Sequence, residues 1–147
     1  MKKLLLVLLL SSSLFSSSSI YTLDNIKNLN IYFTSSAGFI TKEKKEELHR
    51  LIKEKLLKAG FIFDQTDAQL FVVRIDAIEV DGTYVVNIQV GVSEEVVTKR
   101  TDDIETYAYT YQSNKFMEAF EPYADTSEAL SALVEKFIEA YMDDNEE

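Results

Sequence analysis

Side chains that can attack, titrate or hold a metal are few in this sequence. It has one histidine, His49, and no cysteine. Disulfides, thiolate metal sites, cysteine nucleophiles and lipid attachment to an N-terminal cysteine are therefore excluded. A Ser-His-Asp arrangement could use only His49, which stands between Leu48 and Arg50 in a lysine-rich stretch. A ligand or catalytic histidine wants a carboxylate or a second ligand beside it in a cleft. On a cationic helix face His49 reads as a surface residue. No G-x-S-x-G elbow, H-E-x-x-H, Walker A or dinucleotide loop occurs. Carboxylates remain: Asp76 with Glu79 could do acid–base work if a pocket held both. Asp102, Asp103 and Glu105 could meet a hard cation, but without EF-hand spacing or ligand count. The expectation is no catalytic residue, no metal and no cofactor.

Tyr107, Tyr109 and Tyr111 alternate with Ala108 and Thr110 and carry the most suggestive pattern. On one face of a strand, three tyrosines would make a recognition platform of large rings and hydroxyls at low entropic cost. Packing of the same stripe under a helix, with the hydroxyls at the core edge and Ile104 and Ala108 outward, is the plainer reading. The sequence leaves open which face of the strand is buried.

These residues are positioned by a β-hairpin. Asp81-Gly82 between two β-rich runs is a strong signal for a two-residue type I′ turn. With those two as turn residues, Phe71 falls opposite Val92, Val73 opposite Val90, Ile75 opposite Ile88 and Ala77 opposite Val86. All eight share one face, because opposed residues of an antiparallel pair point the same way. Arg74 with Gln89 and Asp76 with Asn87 take the other face, so pattern and turn agree on one register. Leu70, Val72, Ile78 and Val85 also point to that polar face. They read as scattered surface apolars or, more sharply, as an interface with a partner or a second copy.

Around the hairpin the chain predicts further elements. Leu29–Thr34 alternates as a first strand, with Leu29, Ile31 and Phe33 on one side. Thr41–Ala59 is a helix capped by Thr41 and ended by Gly60, with an apolar stripe of Leu48, Leu51, Ile52, Leu56 and Ala59. The second hairpin strand is expected to continue through Val96 or Val97, with a bulge at Glu94-Glu95. Ile104–Gln112 follows as a third strand of the meander. Asn114–Phe120 is expected as a helical turn stopped by Pro122, and Asp125–Met142 as the final helix, with Asp125 and Glu128 as a capping box. Ala129, Leu130, Leu133, Val134, Phe137, Ile138 and Tyr141 form its stripe. Residues 20–28 read as a polar lead-in and residues 143–147 as a frayed acidic tail. The fold class is α+β: a two-layer sandwich with a mainly antiparallel sheet of about four strands, order β-α-β-β-β-α, and two helices on one face.

The formal charge is −10. From Glu118 to the end it is −9, while the helix Thr41–Ala59 carries +3. If both helices lie on the same sheet face, these fields attract and help set their order. So acidic a chain is repelled by nucleic acid and anionic lipid, and no nucleic-acid partner is expected. Lys2-Lys3, the apolar run Leu4–Leu10 and the serines up to Ser19 make a secretory signal peptide, far short of the roughly 20 residues of a membrane-spanning helix. Cleavage after Ser19 or after Ser13 fits its small-residue rule. The mature chain, residues 20–147, would be a single domain without a stable membrane anchor, its charge −12 once Lys2 and Lys3 are gone. The short leader looks bacterial, which makes the periplasm the expected destination.

The element order resembles that of small periplasmic modules carried by bacterial envelope-assembly lipoproteins. The resemblance is one of architecture, carries no motif residue by residue, and transfers no function. The reading from the residues is a non-enzymatic, exported binding or accessory protein, holding a periplasmic or envelope protein through its open sheet face. The alternatives are a self-associating structural subunit, with Leu70, Val72, Ile78 and Val85 as a symmetric interface, and a carboxylate-based hydrolase.

Overall fold

The structure, a computed structural model, describes residues 22–145. The expected leader and the last two residues of the expected tail lie outside the described residues. Asp81 and Gly82 both have positive φ, 50° and 81°, as a type I′ turn requires. They join β2 (Gln69–Val80) to β3 (Thr83–Val97). The register is the expected one, from Phe71 opposite Val92 to Ala77 opposite Val86. Of those eight residues all but Ala77 are fully buried, so the hydrophobic pattern and the turn specify the same pairing.

A first strand, β1 (Leu29–Ser35), runs parallel to β2, with Phe33 opposite Val73. Parallel neighbours need a crossover, which α1 (Lys42–Lys58) supplies. Thr41 Oγ1 accepts the Lys44 N–H at 3.3 Å and caps α1, and Gly60 beyond its end has φ 95°. A fourth strand, β4 (Glu105–Ala119), pairs antiparallel with β3 and completes a sheet in the order β1-β2-β3-β4. The chain ends in α2 (Pro122–Asn145).

Both helices cover the same sheet face. Leu48, Ile52 and Leu56 of α1 and Ala129, Leu130, Leu133, Val134 and Phe137 of α2 share one core with the inward residues of the strands. The Phe137 ring lies 5.0 Å from Phe71, 5.3 Å from Tyr111 and 5.5 Å from Phe61, centroid to centroid. Between the helices, Lys55 pairs with Glu135, and the Tyr123 hydroxyl donates to Glu47 Oε2 at 2.7 Å. The oppositely charged helices do meet. The fold is α+β, a four-stranded mainly antiparallel sheet with two helices, in the order β-α-β-β-β-α.

Four local expectations are corrected. Asn114–Phe120 does not form a helical turn, because β4 runs on to Ala119 and its Met117 and Ala119 face Val86 and Tyr84 across the sheet. Helix-favouring Lys, Met, Glu and Ala are overridden there by pairing along the whole of β3. Pro122 stops nothing but opens α2, at the first-turn position that its missing N–H suits. Asp125 then reaches back, its Oδ2 accepting the N–H groups of Phe120 and Glu121 at 2.8 and 2.9 Å. The lead-in is not merely polar, since Leu23 and Ile26 are buried. Residues 143–145 are not frayed: they form the last turn of α2 and bond to the lead-in, Asp144 Oδ2 accepting Leu23 N–H at 2.8 Å and Asn145 Oδ1 accepting Asn25 N–H at 3.0 Å.

Candidate functional site

With the helices on one side, no described element covers the other side of the sheet. Strand alternation sends Tyr32 of β1, Arg74, Asp76 and Ile78 of β2, Val85, Asn87 and Gln89 of β3, and Asn114 and Phe116 of β4 to it. Tyr32, Ile78 and Phe116 are exposed there to 57, 64 and 68%.

The tyrosine stripe is split between the two faces. Pairing of β3 with β4 shifts register between Val92 and Ser93: Val92 is opposite Tyr111, but Ser93 is opposite Tyr109. Thr110 is the extra residue of a β-bulge, and its hydroxyl donates to the Glu94 carboxylate. The bulge therefore lies on β4, not at Glu94-Glu95 of β3 as the sequence suggests. Above it Tyr111 follows Val92 into the core, 6% exposed and packed on Phe137. Below it Tyr109 and Tyr107 lie on the uncovered face, 43 and 64% exposed. The expectation that all three share a face is corrected, and Tyr111 presents no surface for binding.

Gly91 sets the pose of Tyr109. A Cβ added at Gly91 would stand 2.9 Å from Tyr109 Cδ1 and 2.6 Å from the Tyr111 carbonyl oxygen. The ring thus lies over the one residue in its row that has no side chain. Gly91 in turn is opposite Val72.

The apolar set expected on this face is also divided. Val72 is 7% exposed, and Leu70 and Val85 are half-buried, so only Ile78 presents a large exposed surface. A symmetric interface of all four is corrected on that ground, for Val72 has almost no area left to bury. Ile78 and Val85 instead line a shallow depression of about 260 Å³ with Asp76, Asn87 and Phe116. Asn87 Oδ1 is buried and has no hydrogen-bond partner among the described residues. The Asp76 carboxylate accepts from Arg74 Nε at 2.6 Å and from Ser36 Oγ at 3.0 Å. An apolar group carrying an N–H or O–H would satisfy Asn87 and cover Ile78 and Phe116 together.

The groups considered for catalysis do not converge. Asp76 belongs to the uncovered face and Glu79, opposite Tyr84, to the helix-covered one. Odd spacing along a strand separates the pair. Glu79 bonds the Tyr84 hydroxyl and raises its pKa. His49 lines a depression on α1 with Lys42, Lys45 and Glu46. Partial burial, with Lys53 and Lys45 nearby, holds its pKa below the ordinary histidine value. Between the helices, burial and the bond to Glu47 push the Tyr123 hydroxyl up to about 12. Among the described residues no three His, Asp or Glu side chains are grouped to hold a metal ion. No helix among them is long and apolar enough to cross a membrane.

Phe116, Tyr32, Gly91 and Ser93 were not singled out from the sequence. For Phe116 the signal is the alternation of Ser113, Lys115 and Met117 against Asn114, Phe116 and Glu118, legible only once the strand is known to reach Ala119.

No family model matches the sequence, and no curated protein matches it. Among solved structures the chain is similar to a minor lipoprotein from Acinetobacter baumannii. The two are 11% identical with a TM-score of 0.40, over 78% of this chain and 91% of that one. A likeness of that degree transfers no function.

Proposed function

We propose that this is a non-enzymatic binding or accessory protein of the bacterial envelope that holds a protein partner against its uncovered sheet face. The observation that carries the reading is that face itself. Tyr32, Ile78, Tyr107, Tyr109 and Phe116 lie exposed on one side of a four-stranded sheet whose other side holds both helices. Large aromatic rings spread among polar groups suit a protein contact better than a small-molecule site, which is concave and encloses its ligand. The orphaned Asn87 oxygen adds a place for a donor from the partner. The basic start and Leu4–Leu10 run of the sequence support export, with the periplasm as destination.

The test is crosslinking of the full-length tagged protein in its own cells, followed by fractionation and capture. Phe116→Ser and Tyr107→Ser alter the uncovered face. Leu57→Ser alters an exposed apolar position on α1, 50% exposed, and is the matched control. A periplasmic partner captured by the parent and by Leu57→Ser, and lost in both face variants while their circular dichroism is unchanged, is the expected result. Equal capture by all four proteins would remove the face from the function, and recovery in the cytoplasm would overturn export.

A further inference from the structure

At the end of the uncovered face nearest the β3–β4 turn the surface changes character. A cleft of about 240 Å³ lies there, lined by Thr66, Asp67, Gln69, Ser93, Glu95 and Tyr107 among others. Among the described residues every charged one lining it is acidic, Glu94 being the third, and no lysine or arginine lines it. Tyr107 stands directly opposite Glu95 across the β3–β4 pair, so an exposed ring and a carboxylate flank the same opening. Ser93, which also lines it, is 8% exposed. No described residue hydrogen-bonds its hydroxyl. The residue is buried but lines the cleft, so its hydroxyl is open to a group that enters there.

We infer that this cleft takes a lysine ammonium or arginine guanidinium from a basic segment of the protein partner. Its parts match such a group. Glu95 and Asp67 supply negative charge, the Tyr107 ring a π face for the cation, and Ser93 Oγ an acceptor for one N–H. Glu94 is held by Thr110 and contributes field rather than a free acceptor. A metal ion fits poorly, because the carboxylates are not grouped as a metal site and the remaining groups are a ring, an amide and hydroxyls. The cleft opens onto the same face as Tyr109, so a partner lying there can place a side chain in it. The inference deepens the proposed function and rests on it for the source of the cation.

The decisive experiment titrates the isotopically labelled protein with acetyl-Gly-Lys-Lys-Gly-amide and follows backbone amide shifts by NMR. The same peptide with both lysines acetylated, spermidine and magnesium ion are the comparison ligands. Saturable shifts at residues 66–69, 93–95 and 107 with the cationic peptide, and none with its acetylated form, are expected. Tyr107→Ala and Glu95→Gln should each raise Kd about threefold, the size of one exposed cation–ring or charge contact, while Tyr107→Phe keeps the parent value. Equal shifts from the acetylated peptide, shifts spread along the acidic α2 instead, or no shifts, would overturn the inference. So would spermidine or magnesium ion moving these residues more than the peptide does. The Phe116→Ser arm of the crosslinking test is independent of this outcome, because Phe116 lies outside the cleft: a partner lost on Phe116→Ser with no lysine effect here leaves the face reading standing and removes the cleft from it.

Discussion

Gly91 lacks a side chain, and the ring of Tyr109 lies where one would be. An alanine there would bring Cβ against the Tyr111 carbonyl oxygen at 2.6 Å, and backbone in the middle of a paired strand cannot swing aside. Gly91→Ala should cost about 1–3 kcal/mol, the range for overpacking, despite the better strand propensity of alanine. Urea unfolding measures it, and the Tyr109 ring resonances should shift with it. The three tyrosines of β4 separate just as sharply. Tyr111 packs on Phe137 in the core, so Tyr111→Ala should lose about 3–5 kcal/mol, as large buried side chains do. Tyr107→Ala, at a position 64% exposed, should stay within about 0.5 kcal/mol of the parent. Comparable losses from both would mean that the bulge at Thr110 is misplaced. No property of these residue types announces the bulge. Tyr-Ala-Tyr-Thr-Tyr is an unbroken period-two pattern, and only the pairing with β3 shows where the period slips.

At the scale of elements, the parts that were legible are those in which two independent signals coincide. The Asp81-Gly82 turn and the Phe71–Val92 pattern each specify one register, and they agree. Thr41, the Leu48–Leu56 stripe and Gly60 each bound the same helix. Asn114–Phe120 had one signal only, the Pro122 beyond it, and pairing along the length of β3 outweighed it. How the helices meet was legible as charge but not as contact. The Tyr123–Glu47 hydrogen bond is the clearest case, and it makes stability depend on pH. In the fold the Tyr123 hydroxyl titrates at about 12 against an ordinary 10.0, because burial and the Glu47 carboxylate both disfavour the phenolate. The unfolded chain therefore releases this proton first as pH rises. The contribution of Tyr123 is fully present below pH 10 and is lost as pH climbs to about 12. Thermal melts of the parent and of Tyr123→Phe should differ by a constant amount up to pH 10, and the parent's advantage should then shrink. A gap that does not change between pH 10 and 12 would show the hydroxyl exposed and unbonded in solution.

For the molecule as a whole, the two ends of the described chain hold one another. Leu23 and Ile26 are 1% and 5% exposed, so the segment before β1 is part of the core. It is kept in place by the last turn of α2. Asp144 accepts the Leu23 N–H, while Asn145 accepts the Asn25 N–H and donates to the Leu23 carbonyl at 3.1 Å. A frayed acidic tail and this closure predict opposite results for one deletion. If the tail were frayed, a chain ending at Met142 would melt with the parent. Here it loses the three hydrogen bonds to the lead-in, two of them part-buried. The expected loss is about 1–3 kcal/mol, the cost of leaving such groups unpaired. Asp144→Ala and Asn145→Ala should each account for about 1 kcal/mol of it, with Asp143→Ala, at an exposed position, as the control. Hydrogen exchange would locate the effect: the Leu23 and Asn25 amides should lose protection in the shortened chain, while the amides of the β2–β3 ladder keep theirs. Unchanged protection at Leu23 would mean that the lead-in is held by its apolar contacts alone, and that the hydrogen bonds of Asp144 and Asn145 do not hold the ends together.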